Sequence, residues 1–170
     1  MYSAIVFIVL PACLVMGALT DFLEMTIPNW ISLLLIGAFV LIAPFSGLSA
    51  IELGWHLAAG LLLFIGCFSL FALNVMGGGD AKLLTAAALW FGFNTSLFEF
   101  LVYTGYLGGV LTILVMLLRA NWDKLATVGV RLPQTLMVAN KIPYAIAIGA
   151  AGLLAYPSSP LVVSAIQKAL

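Results

Sequence analysis

The chain has 170 residues, 65% hydrophobic and 7% charged, with six acidic residues balancing six basic ones and a mean hydropathy of +1.25. A soluble domain carries about a quarter charged residues, which argues against a soluble monomer, and six basic residues make no stripe for a nucleic acid. Each membrane crossing takes roughly 20 apolar residues, so the apolar content supplies five or six spans and leaves almost nothing for a soluble domain.

Polar, glycine and proline punctuation cuts the chain into six apolar segments: Tyr2–Leu19, Trp30–Pro44, His56–Val75, Leu83–Phe93, Leu97–Leu118 and Ile142–Tyr156. All are predicted to be helices, because an open strand leaves its backbone unsatisfied in lipid and a barrel would show apolar/polar alternation. The first segment lacks a basic start, and Gly17-Ala18-Leu19 is a poor cleavage site, so a retained span is expected rather than a signal peptide. The tail after Tyr156 is expected to form a short interfacial helix with Leu161, Val162, Ile166 and Leu170 on one face.

The fourth segment is short, and charge placement decides whether it crosses. If all six cross, the connections after the first, third and fifth lie on one side. That side carries Lys82, Arg119, Lys124, Arg131 and Lys141, against Lys168 alone on the other. The positive-inside rule makes the first side cytoplasmic. The expectation is therefore an all-α integral membrane protein, a bundle of six transmembrane helices with its N-terminus outside, as one domain over residues 1–170. A short fourth helix implies local thinning of the bilayer or protection by its neighbours.

Small residues at Gly105/Gly109 and Ala145/Gly149 are spaced for close helix approach. Packing inside one bundle is the simpler reading, and a homodimer face is the other. Cys13 and Cys67 sit in apolar runs without ligand partners and read as buried thiols. The four tryptophans, Trp30, Trp55, Trp90 and Trp122, fall mostly near expected interfaces.

With twelve charges in all, each is informative. Acidic groups at membrane depth are costly and usually functional. Asp21 follows the first segment, and Asp80 follows the third within Met76-Gly77-Gly78-Gly79-Asp80-Ala81-Lys82-Leu83. The topology puts both at the cytoplasmic ends of their spans, and therefore puts the active site on that side. Two neighbouring carboxylates share a proton and hold a water between them. The ionised member takes a proton from the attacking water, and the protonated one donates to the developing oxyanion. This chemistry needs no metal and no cofactor. The sole histidine, His56, falls at the other membrane face, which argues against a serine–histidine site. Three successive glycines permit positive φ and a close backbone approach to an extended peptide. Alone, Gly77–Gly79 would read as a helix-ending turn.

Gly77-Gly78-Gly79-Asp80 resembles the G-x-G-D motif of bi-aspartyl membrane proteases, and its extension to Leu83 looks like the G-x-G-D-x-K-L form of type IV prepilin peptidases. Asp21 followed by Ile27-Pro28-Asn29 is similar to that family's first aspartate motif. Lys141-Ile142-Pro143-Tyr144 resembles its Pro-aromatic signature, with Ala145 where a glycine is common. The chain has no room for the cysteine-bearing insert of the bifunctional enzymes and looks like the small TadV/CpaA type of tight-adherence (Flp) pili; archaeal preflagellin peptidases stay open as neighbours.

The resemblance implies a membrane-embedded aspartic endopeptidase of a prokaryotic cytoplasmic membrane, with Asp21 and Asp80 as catalytic residues. It implies prepilin or pseudopilin substrates, cut on the cytoplasmic side of a short basic leader. It also implies pilus assembly machinery as partner, and no methyltransferase activity. Around this pair, Glu24 is a candidate for holding a proton or recognising the leader, beside the simpler reading of an interfacial charge, and Lys82 for positioning or lipid anchoring. Asn29, after Pro28, suits a helix cap or a substrate contact; Asn74 suits a cap for the third span; Lys141 and Pro143 lie at the depth of the aspartates. The competing reading is a small proton or cation transporter using the same aspartates.

Overall fold

The computed structural model describes residues 2–122 and 142–168, and among these every regular element is helical. In chain order they are α1 (Tyr2–Glu24), α2 (Asn29–Ile42), α3 (Ala50–Ala72), α4 (Gly78–Phe91), α5 (Thr95–Ala120), α6 (Ala145–Ala155) and α7 (Pro160–Gln167). Short 3₁₀ turns follow α2 at Ala43–Phe45 and α6 at Tyr156–Ser158. Three helices, α1, α3 and α5, are long and apolar enough to cross a membrane. A fourth span arises if α6 with its 3₁₀ turn and α7, bent by 45°, are taken together.

Local chemistry explains where the helices begin and end. Ser49 and Glu52 form a reciprocal capping box, with the Ser49 N–H donating to Glu52 Oε2 at 2.7 Å. This starts α3 six residues ahead of the apolar run that begins at His56. The same helix ends in a Schellman turn: Asn74 takes φ 57°, Val75 N–H returns to Leu70 O at 2.9 Å and Asn74 N–H to Phe71 O at 2.9 Å. The expected cap at Asn74 is thus made by its backbone conformation. Asn94 caps α5 by accepting from Ser96 N–H at 2.7 Å.

The glycine run is neither a helix-ending turn nor a stretch of positive φ, the conformation its sequence was expected to permit. Gly77 is the N-cap of α4 with φ −67°, and Gly78 and Gly79 form its first turn. The run starts a helix, and none of its three residues has a positive φ.

The ends of α1 and α3 and the starts of α2, α4 and α6 gather at one end of the bundle, where they line a common cavity. The opposite end is tied by Ser159 Oγ to Trp90 O (2.8 Å), Lys168 Nζ to Phe45 O (2.6 Å) and Phe93 N–H to Trp55 O (3.1 Å). Helix α4 packs against both α2 and α3, and α6 lies between α1 and α5. The 14 residues of α4 span only about 21 Å at 1.5 Å per residue. Its Leu83, Ala86, Ala87, Ala88, Trp90 and Phe91 have no exposed surface. Neighbouring helices cover this short helix, so its length need not match the bilayer.

Two sequence expectations are corrected here. Trp90, read with the tryptophans as mostly near interfaces, is not a ring exposed to the surroundings: it is fully buried, and its Nε1–H donates to Leu35 O at 3.1 Å, fixing α4 to α2. The tail helix α7 is packed into the bundle against α1 through Leu161, Val162 and Ala165, while Ile166 is exposed. Leu170 lies outside the described residues. Because Trp90 both fills the core and satisfies a carbonyl, Trp90→Ala is expected to lose about 3–5 kcal/mol of stability. Thermal unfolding in detergent checks this, with Trp90→Phe expected to retain more than half of the difference.

Candidate active site

The buried stripe of α1 runs Val6, Leu10, Leu14, Gly17 and Asp21, at steps of three and four residues. Asp21 therefore continues the face that packs into the protein, and it is 7% exposed. Its Oδ2 accepts the Ala145 N–H at 3.0 Å, one of the otherwise unpaired donors at the start of α6. Only the backbone of Ala145 is used, which explains why alanine serves where the resembled motif often has glycine. Helix α1 ends at Glu24, and the next residue, Met25, has a φ of 53° that is uncommon for a bulky residue.

Asp80 is the third residue of α4, where the helix dipole favours a negative charge. Its Oδ1 is buried without a hydrogen-bond partner among the described residues. Asp21 and Asp80 feel each other's charge, and both line one cavity of about 810 Å³. Helices of separate origin thus deliver two carboxylates to one space.

The glycines are needed for lack of bulk. A Cβ on Gly77 would stand 2.8 Å from Asp80 Oδ2, and one on Gly79 would stand 3.1 Å from the Cβ of Ile27. A Cβ on Gly78 would meet the Phe71 ring at 3.1 Å. The two aspartate motifs are therefore in contact, through Ile27 of one and Gly79 of the other.

The remaining sequence candidates divide. Lys82 and Asn29 line the cavity and join each other, Lys82 Nζ donating to Asn29 Oδ1 at 3.0 Å. That bond replaces the expected helix cap: the N-cap of α2 is Pro28, without a side-chain bond, and Asn29 is the first helical residue. Glu24 is exposed at the end of α1 and does not line the cavity, although it stands three residues from Asp21. Pro28 and Pro143 also lie off the lining; Pro143 is buried behind it. Lys141, like Lys124 and Arg131, lies outside the described residues. His56 is buried at the far end, with Nδ1 2.7 Å from Leu89 O.

The cavity also enlists residues that were not sequence candidates for the site, among them Met25, Ile27, Phe71 and Tyr144. The Tyr144 hydroxyl reaches Thr104 O at 3.5 Å and its ring lies over Gly108 of α5. Tyr144 sits inside the Pro-aromatic motif, a signal that pointed to it. The expected close packing at Gly105 and Gly109 is not found: a Cβ on either meets nothing, and it is Gly108 that receives a neighbour. Gly149 does pack closely, against the Leu14 backbone and Ala18.

Fold and site together define a helical membrane protein with a paired-carboxylate cavity at one end of its bundle. The type IV leader peptidase family matches residues 8–116, a stretch that includes both aspartates, and the chain belongs to that family. No curated protein and no solved structure matches it significantly. Family membership implies an aspartic peptidase in a membrane setting with prepilin-type substrates.

Proposed function

We propose that this chain is a membrane-embedded endopeptidase in which Asp21 and Asp80 cut the leader from prepilins or pseudopilins of the Flp type at the cytoplasmic face. The observation that carries this reading is the delivery of both carboxylates to one cavity, with Asp21 held by the start of α6 and Asp80 by the start of α4.

Chemically, the pair holds a water and one proton between its four oxygens. The ionised carboxylate takes a proton as the water oxygen attacks the scissile carbonyl, and the protonated one donates to the carbonyl oxygen. The tetrahedral intermediate then collapses, the C–N bond breaks, and a proton passes to the leaving amine. The sharing of one proton predicts a rate that falls on both sides of an optimum pH.

Helix α4 supports the arrangement: its dipole favours charge at Asp80, and its buried length fixes that residue against the rest of the bundle. The positive-inside count supports six crossings with the N-terminus outside, which would put the cavity at the cytoplasmic end. Nothing in the site or the family favours transport.

The test is co-expression with a single-span protein that carries a short basic leader, a glycine and a hydrophobic helix. The expected product is shortened, with its new N-terminus directly after the glycine. An uncut precursor in the presence of folded protein overturns the reading, and so does a cut on the outer side.

A further inference from the structure

A second concavity of about 580 Å³ adjoins the aspartate cavity, and the two share Asn29, Phe71, Gly78 and Lys82. It lies along α4, between α2 and α3. Its floor is Gly78, Ala81 and Thr85, small residues spaced three and four apart. One wall carries Phe64, Phe68 and Phe71 of α3, each about half exposed, with neighbouring ring centroids 5.7 and 6.4 Å apart. The other wall carries Ser32, Leu33 and Ile36 of α2. Floor and aromatic wall each run about two helical turns. A small-residue floor between larger walls is what close approach of another helix requires in lipid.

The surface that an occupant meets is largely apolar: the hydroxyls of Ser32 and Thr85 are enclosed within the protein and do not reach it. The groove shares four lining residues with the aspartate cavity, so a chain whose scissile bond lies in that cavity continues along it.

We infer that this groove binds the apolar helix of the substrate, the segment following the cleaved bond, and so aligns that bond with Asp21 and Asp80. This rests on the peptidase reading. The groove borders the aspartate cavity at Gly78, where α4 begins, so a helix lying in it with its N-terminal end at that border points that end at the two carboxylates. Lys82 and Asn29, joined across the junction, mark the place where the helix must give way to extended chain. Leader recognition and helix recognition then occupy different surfaces, and the chemistry lies where they meet.

The test uses two probes: a single-span protein with a basic leader, a glycine and a 20-residue apolar helix, in liposomes, and a soluble peptide covering the leader and only the first residues beyond the glycine. Filling the groove by Ile36→Trp is expected to lower kcat/KM for the helix-bearing probe about tenfold more than for the peptide, the equivalent of about 1.4 kcal/mol of helix binding. Equal losses on both probes would overturn the groove assignment.

A photoreactive benzoylphenylalanine at Ile36, in the Asp21→Asn background, reads binding without cleavage. Crosslinks to the probe's apolar helix are expected, several-fold above those from Val102 on the outer face of α5. Crosslinks only to lipid or to a second copy of the chain would overturn the groove. Helix crosslinks in a protein that cuts neither probe would overturn the peptidase reading while leaving the groove in place.

Discussion

Asp21→Asn and Asp80→Asn are each expected to lower kcat/KM for leader cleavage by on the order of 10³-fold or more, about 4 kcal/mol of transition-state stabilisation. In the proposed mechanism each aspartate supplies either the base or the acid, and an amide supplies neither. The double variant is expected to be no worse than the poorer single one, because the two act as one unit. Asparagine is the right replacement because it keeps the architecture. In Asp21→Asn the amide oxygen still accepts the Ala145 N–H now held at 3.0 Å. In Asp80→Asn the loss of a charge at a helix start is offset by relief of repulsion from Asp21, and Oδ1 has no hydrogen-bond partner to lose among the described residues. Both variants should insert and unfold within about 1 kcal/mol of the parent. Asp21→Ala is different: it strands a buried N–H and should cost about 1–3 kcal/mol besides activity. The product-to-precursor ratio, read beside unfolding temperature in detergent, separates these effects. Undiminished cleavage in either Asn variant removes that aspartate from the mechanism.

The charged and breaker residues were the legible part of this chain. Asp21 and Asp80 could be placed together because their segments end where polar residues begin, and alternate helix ends meet in a bundle. What a helix faces was much less legible. In water, an apolar stripe marks the buried side; in lipid, the interior and the surroundings are equally apolar, and the contrast disappears. Trp90 was therefore grouped with tryptophans mostly near interfaces although it is wholly enclosed, and packing inside the bundle was preferred for Gly105 and Gly109 although Gly108 is the one covered. Ile166 was grouped on one apolar face with Leu161 and Val162, whereas it is exposed and Ala165 is buried with them. Other misses were of a different kind. The Ser49-x-x-Glu52 box was readable and marks the start of α3. The glycine run was read for conformational freedom when the turn had already been made at Asn74.

That last point yields the second large effect. Since none of the three glycines has a positive φ, alanine strains none of their backbones, and each substitution is judged by what the new methyl meets. Gly77→Ala drives a methyl to 2.8 Å from Asp80 Oδ2, so the carboxylate must turn away from its present position. A misplacement of about 1 Å at a reacting group costs on the order of 10²-fold in rate, and that loss in kcat is expected here. Gly79→Ala meets Ile27 at its Cβ and at its Cδ1, 3.1 and 3.3 Å away. A Cβ cannot rotate aside, so residues 25–28 must shift and the two aspartate motifs separate. A loss of comparable order follows, with some loss of stability. Gly78→Ala meets only the edge of the Phe71 ring, which is 47% exposed and free to turn. It should be the mildest of the three, about tenfold less damaging than Gly77→Ala, while gaining up to about 1 kcal/mol of helix propensity in the first turn of α4. Rates from the three variants, each with an unfolding temperature, give the ranking. If Gly78→Ala were the most damaging, steric clearance around Asp80 and Ile27 would not be the reason for the glycines. With the expected ranking, the first and third glycines of the motif are explained by the two contacts that bring Asp80 and Ile27 into register, and the second is left comparatively free.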